Sequence, residues 1–264
     1  MSNEHLLYLK RIKRHNIFII IMQILLLSSF ILTWEYLANK NIISSFIFSS
    51  PTKIFNTLIS LYKNNNLFIH IFTTTKEVLT SLLLSTIISF IIAILLYSYK
   101  TLYEILKPFI NLINSLPKVA LSPLIIIWLG ANTKSIIFMS LLISLIVTFT
   151  TILNGFNKTD ENMIKLFKIY NASKIQTLTM LIIPSSRYEI ITSLRLNTSL
   201  TLIGVITGEF LSCKSGIGYL ILYGTQVFNL SLVMCGIFIL LLLSSIFFIF
   251  INIIEKRFIK WIFL

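Results

Sequence analysis

The residue best placed to do chemistry is Glu209, because it stands in the weakly apolar stretch Glu189–Leu211, whose other ionisable residues, Glu189 and Arg195, lie toward its start. An ionisable group within such a stretch is costly and faces a cavity or a partner. Two roles follow for Glu209: lining a pathway, or a structural pairing with Arg195 or a backbone donor. Arg195 lies near one end of the stretch, where its guanidinium can snorkel. Glu35 and Glu77 sit at the ends of other apolar runs, and solvation at an interface accounts for them. Gly216 and Gly218 have the spacing of a turn. His5, His15 and His70 are scattered and suggest no shared chemistry. Cys213 and Cys235 follow no metal-ligand or CxxC spacing, so no metal, cofactor or disulfide framework is expected. No GxxxxGK[ST] phosphate loop occurs, which excludes ATP hydrolysis by this chain. The absence of HExxH and GxSxG argues against a hydrolase built into the membrane.

The elements that must position Glu209 follow from composition. Of 264 residues, 56% are hydrophobic and only 12% charged, with mean hydropathy +0.90. A soluble domain carries about a quarter charged residues, so lipid must solvate most of this surface. The net charge of +13 is spread between apolar runs and forms no single patch for nucleic acid. Residues 1–34 have the basic start and apolar run of a signal peptide. The run Asn16–Trp34 is long for one, however, and no small-residue cleavage site follows, so a retained helix is expected.

A membrane span needs about 20 apolar residues. Asn16–Trp34, Val78–Tyr99, Ser135–Asn157 and Leu230–Ile254 each supply one. Two weaker spans are expected at about Val119–Gly130, interrupted by Pro123, and at Glu189–Leu211. Pro117 and Pro123 would break the third helix so that it lines a path, or would merely kink it. The fold class is therefore all-α, with about six transmembrane helices. With both termini in the cytoplasm, the 22 basic residues divide 16 inside to 6 outside, as the positive-inside rule requires. The expected organisation is a basic segment and first helix at 1–40, an extracytoplasmic loop at 41–73, a five-helix core at 74–254 and a cytoplasmic tail at 255–264. The longest cytoplasmic loop of the core is 156–188.

That loop carries its own folding signals. Thr159 and Asp160 can cap a short helix whose apolar residues are Met163, Leu166, Phe167 and Tyr170. Asn171 tolerates the left-handed conformation that ends a helix. Ser173 and Gln176 have the spacing of a capping box for a second helix, which Pro184 would stop. The result is a helix–turn–helix elbow at the membrane surface. It can lie on anionic headgroups or present its apolar face to a partner's groove.

The stretch KLFKIYNASKIQTLTMLIIPSSRYEIITSLRL resembles the cytoplasmic signature loop of ABC importer permeases. Lys165, Leu166 and Phe167 replace the family's Glu-Ala-Ala, and Asn171 replaces its Gly. Ala172, Ser173, Ile183, Pro184, Leu194 and Arg195 match. FSSPTKIF, LINSLPKVALSPLIIIWLGANTKS and GVITGEFLSCKSGIGYLI resemble further segments of the nitrate/sulfonate/taurine-type branch, in the family's order and spacing. Some vitamin-precursor importers are similar. The resemblance covers about Ser49 to Ile221 and implies the type I ABC importer permease fold in a cell membrane. The chain would be a transport subunit, not an enzyme, working as a homodimer with a cytoplasmic ATPase and an extracytoplasmic binding protein. It implies an ATPase-coupling role for Lys165, Leu166, Phe167, Tyr170, Asn171, Ala172, Ser173 and Pro184. Glu209, Pro117 and Pro123 become pathway candidates. Two other classes remain: a self-sufficient secondary transporter, which would show an internal repeat, and a membrane scaffold without transport. No second copy of the Pro117–Gly130 pattern is found.

Overall fold

A computed structural model describes residues 3–64, 66–212 and 214–260. Cys213 and residues 261–264 of the tail lie outside the described residues. All of the regular structure described is helical. The chain starts with α1 (Asn3–Asn39), α2 (Pro51–Lys63), α3 (Asn66–Ser98), α4 (Lys100–Ser115), α5 (Ser122–Leu129) and α6 (Thr133–Asn157). It continues with α7 (Glu161–Ile169), α8 (Lys174–Thr177), α9 (Ile183–Ser185), α10 (Arg187–Ser212), α11 (Ile217–Gln226) and α12 (Leu230–Lys260). Five of the described helices are long and apolar enough to cross a membrane; α4 with Lys118–Leu129 makes a sixth span if that bent pair counts as one.

Helix α6 packs most extensively on α10 and next on α3. These helices approach closely because their facing residues are small. Ser81, Ser85 and Ser89 of α3, Ser140, Ser144 and Thr148 of α6, and Asn197 and Thr201 of α10 are all buried. Small and hydroxyl-bearing residues are what bring helices together in lipid, where no hydrophobic effect drives association. The Ser85 and Ser144 hydroxyls lie 2.8 Å apart, Ser85 also donates to Asn197 Oδ1 at 2.9 Å, and Asn197 Nδ2 donates to Thr86 at 2.9 Å. At Gly204 a side chain would meet the Ser140 backbone. Apolar clusters flank this seam: Val78, Ile136, Val205 and Ile217 toward α11, and Phe149, Leu153, Phe156 and Ile182 toward the elbow.

Several expected boundaries change. The 41–73 segment contains a helix: Ser50 caps α2 by accepting from Lys53 N, with Pro51 in the first turn. Helix α3 begins at Asn66 rather than near Val78, because the polar residues between pack against α10 and α11. The basic stretch 100–118 is helical as far as Ser115, as α4, which contains Pro108. The axis then bends by 83°. Pro117 stands at that bend, whereas Pro123 lies in the first turn of α5, where its missing N–H costs nothing. The second helix of the elbow does not stop before Pro184. A π-helical turn at Leu178–Ile182 leads into α9, which contains Pro184 and ends at Ser185. Helix α1 touches mainly α2, and no residue in the apolar window of its span is buried within this chain.

Candidate functional site

Two sites emerge, at opposite ends of the bundle. At the end where α10 stops, the turn into α11 is gathered by side chains of α3. Residues 70, 74, 77 and 81 recur on one helical face. Gly216 N donates to His70 Nδ1 at 3.1 Å, and Ile217 N donates to Thr74 Oγ1 at 2.8 Å. Gly218 N donates to Glu209 Oε2 at 2.6 Å, while Thr74 Oγ1 donates to Glu209 Oε1 at 2.6 Å. Three successive N–H groups that open α11 thus find side-chain acceptors, which is the requirement at any helix start. The Glu209 carboxyl is fully buried and also gains from the positive end of α11.

Of the roles open to Glu209, the geometry provides the backbone donor, at Gly218. Arg195 is engaged elsewhere, in an ion pair with Glu255 and a hydrogen bond to Asn252 Oδ1 at 3.2 Å. Glu77 is not solvated at an interface: it is 1% exposed, because helix α3 continues past it under α10 and α11. Glu35 accepts from Thr52 N at 3.1 Å and from the Thr52 hydroxyl, which ties α1 to α2. His70, to which sequence spacing assigned no chemistry, is an acceptor in this turn. Its partner lies 146 residues away in the chain, so no local signal could reveal it.

Gly216 has φ +114° and ψ 162°, a conformation almost restricted to glycine. A Cβ there would also strike the Glu209 carboxyl. Gly216→Ala is expected to destabilise the protein by ~1–3 kcal/mol, read as a lower melting temperature of the detergent-solubilised chain. An unchanged melting temperature would mean that the turn is not held as described.

At the other end is the elbow. Asp160 accepts from Asn162 N at 2.9 Å and caps α7. Asn171 has φ 57°, so the left-handed turn is present. Ser173 and Gln176 complete the capping box, with Ser173 N donating to Gln176 Oε1 at 2.8 Å and Gln176 N to Ser173 Oγ at 3.2 Å. Thr159 and Ser185, whose hydroxyls are 3.0 Å apart, close the base of the elbow. Its exposed surface mixes apolar and basic side chains: Met163, Leu166, Ile169, Tyr170 and Ile175 are all exposed, Ile169 and Tyr170 by more than three quarters, alongside Lys165, Lys168 and Lys174. Phe167 is half-buried and faces partly inward. Ala172 and Lys165 flank the turn, and Lys165 borders a small cleft shared with Tyr97, Phe156 and Lys168. Glu209, Pro117 and Pro123 do not form one cluster: Glu209 belongs to the α3–α10–α11 turn, the prolines to the bent α4–α5 pair.

The family described as binding-protein-dependent transport system inner membrane component matches residues 85–260. The aliphatic sulfonates transport permease protein SsuC of Bacillus subtilis, a putative assignment there, is 23% identical over 90% of this chain and 86% of its own. The formylaminopyrimidine transport permease protein ThiX of Halalkalibacterium halodurans is 26% identical over 86% of this chain and 90% of its own. The taurine transport system permease protein TauC of Escherichia coli is 21% identical over 86% and 85%.

Proposed function

This chain belongs to the family of binding-protein-dependent transport system inner membrane components, and from that premise we propose that it forms the pathway through which an ABC importer carries a small solute into the cell. The solute belongs to the class named by its relatives: an aliphatic sulfonate, taurine or a formylaminopyrimidine. An extracytoplasmic binding protein delivers it, and a second copy of the chain completes the pathway. Both termini and the elbow lie in the cytoplasm, which the 16 to 6 division of basic residues supports.

The observation that carries this reading is the elbow. It lies between two spans, is capped at each turn, and presents Met163, Leu166, Ile169 and Tyr170 to the surroundings. An ATP-driven importer subunit without a nucleotide site of its own receives its energy through a contact with the ATPase, and a capped helix with an apolar face suits a groove. Lys165, Leu166, Phe167, Tyr170, Asn171, Ala172, Ser173 and Pro184 build this coupling element. Pro117 and Pro123 shape the bent segment beside the pathway. Glu209 serves the pathway indirectly, by fixing the turn into α11.

The test is uptake by proteoliposomes holding this chain, the partner ATPase and the binding protein. Labelled taurine, an alkanesulfonate and formylaminopyrimidine are offered with and without ATP. One of them should enter only with ATP and the binding protein. Uptake driven by an ion gradient without the ATPase would replace this reading with that of a secondary transporter.

A further inference from the structure

Glu77 is used by nothing described so far, and its surroundings are unusual. Its side chain is 1% exposed, and neither carboxyl oxygen has a hydrogen-bond partner among the described residues. The groups beside it are the Glu209 carboxyl and the Thr133 side chain. Two ionised carboxylates cannot hydrogen-bond to one another, since both only accept. Written as two anions, the pair strands Glu77 next to a like charge in a site closed to water, where an isolated charge is prohibitively costly.

Among the described residues no cation forms an ion pair with either acid, and the nearest charge, that of Lys76, acts from outside the site. The ion pairs among the described residues are Lys158–Glu189 and Arg195–Glu255, both elsewhere. Lys76 precedes Glu77 in the chain but is exposed, about 100° round the helix. Lys134 on α6 and Lys214 in the turn are also exposed. His70 accepts from Gly216 N through Nδ1 and so is the neutral imidazole. Tyr219 of α11 stacks on His70 rather than on the acids. No group of three or more metal-ligating side chains occurs among the described residues.

We propose that Glu77 and Glu209 form a proton-binding site, in which a Glu77 carboxylic acid donates a hydrogen bond to the Glu209 carboxylate. The assignment of the proton to Glu77 follows from the partners of Glu209. Thr74 Oγ1 and Gly218 N both donate to Glu209, as suits an anion, and the start of α11 favours negative charge there. Glu77 makes no formed hydrogen bond, has only the Thr133 hydroxyl nearby as a donor, and has a carboxylate as its other neighbour. One proton therefore completes the set: Glu77 gains a partner, Glu209 gains a third donor, and the buried charge falls from two to one. The bond fastens α3 to α10 at the end where both meet α11. This site stands on the burial of Glu77 and on the bond to Glu209 from Thr74, one turn earlier on α3, and does not depend on the solute or on the transport reading.

The experiment is infrared spectroscopy of the purified, detergent-solubilised full-length chain at neutral pH. A carbonyl stretch of a protonated carboxylic acid should appear, shift in D2O and vanish in Glu77→Gln. The same variant should keep the wild-type melting temperature, because the amide donates where the acid did. In Glu209→Gln the band should move to a new frequency, since the acceptor changes from carboxylate to amide. Should Glu77→Gln not fold, the wild-type band and its response to Glu209→Gln still decide. Absence of the band in the wild type overturns the proposal, as does its persistence in Glu77→Gln or its indifference to Glu209→Gln. A melting temperature raised by sodium or potassium in the wild type but not in Glu77→Gln would also overturn it, in favour of a metal cation between the acids.

Discussion

Gly204→Val is expected to leave almost no folded protein in the membrane. Gly204 faces Ser140 where α10 crosses α6, and a Cβ there would collide with the Ser140 α-carbon and approach its Cβ at 3.0 Å. A flexible side chain can swing aside, but an α-carbon moves only with its helix. Valine adds two methyl groups to that collision, so α6 and α10 must separate along the most extensive helix contact in the chain. Overpacking costs ~1–3 kcal/mol even where neighbours can adjust, and separation would also break the 3.1 Å bond from Ser140 Oγ to the Thr201 carbonyl. Gly208→Ala should be milder, since its added Cβ would sit 3.0 Å from the Ile136 α-carbon with no further bulk. The measurement is the yield of monodisperse, fluorescently tagged protein on size-exclusion chromatography. A wild-type yield for Gly204→Val would show that the α6–α10 contact is looser than described.

Ile169→Asp is expected to abolish capture of the partner ATPase while leaving the chain inserted. Ile169 is 76% exposed on the outward face of α7, beside Tyr170 at 78%, so the change adds no charge to the interior of the chain itself. In a docked groove, the carboxylate would be buried without a partner. Central interface residues cost about 2 kcal/mol or more when lost, which is over tenfold in affinity. Asn171→Gly should bind normally, and Asn171→Val should bind weakly, because φ 57° is unfavourable for a β-branched residue. Pull-down of the ATPase by tagged chain reads all three. Full capture by Ile169→Asp would leave the elbow as an element resting on lipid headgroups.

The elbow was legible because its rules are local. Asp160, Asn171 and the Ser173–Gln176 pair each act within three residues, and all three appear as their spacing predicts. Its exposed apolar face was less legible. Spacing selected Phe167, which turns partly inward, and passed over Ile169, since a nine-residue helix leaves the direction of its core undetermined. The four strong spans were legible as apolar runs, yet the start of α3 was not. His70, Thr74 and Glu77 make the sequence look like a loop, and only α10 and α11, more than a hundred residues on, give them a buried face. Helix α4 was hidden by Lys100, Lys107 and Pro108, which break an apolar run without breaking the helix. Both roles for Glu209 remained open in sequence because its donors lie on separate elements.

The hydroxyl seam between α3, α6 and α10 bears on how reversibly these helices are fastened. Thr148 donates to the Ser144 carbonyl at 2.8 Å and Thr198 to the Leu194 carbonyl at 2.8 Å, each within its own helix. Thr201 does the same with Asn197 O at 2.8 Å. A hydroxyl that bonds to the preceding turn is satisfied whether or not a neighbouring helix is present. Ser85, Ser89 and Ser140 bond across the seam but have the same fallback one turn back. Parting the helices therefore strands few donors, and closing them again requires little reshuffling. Asn197 is the exception, for its amide both accepts from Ser85 and donates to Thr86, and no carbonyl of its own helix replaces both. The seam behaves as a row of self-sealing contacts held by a single pin.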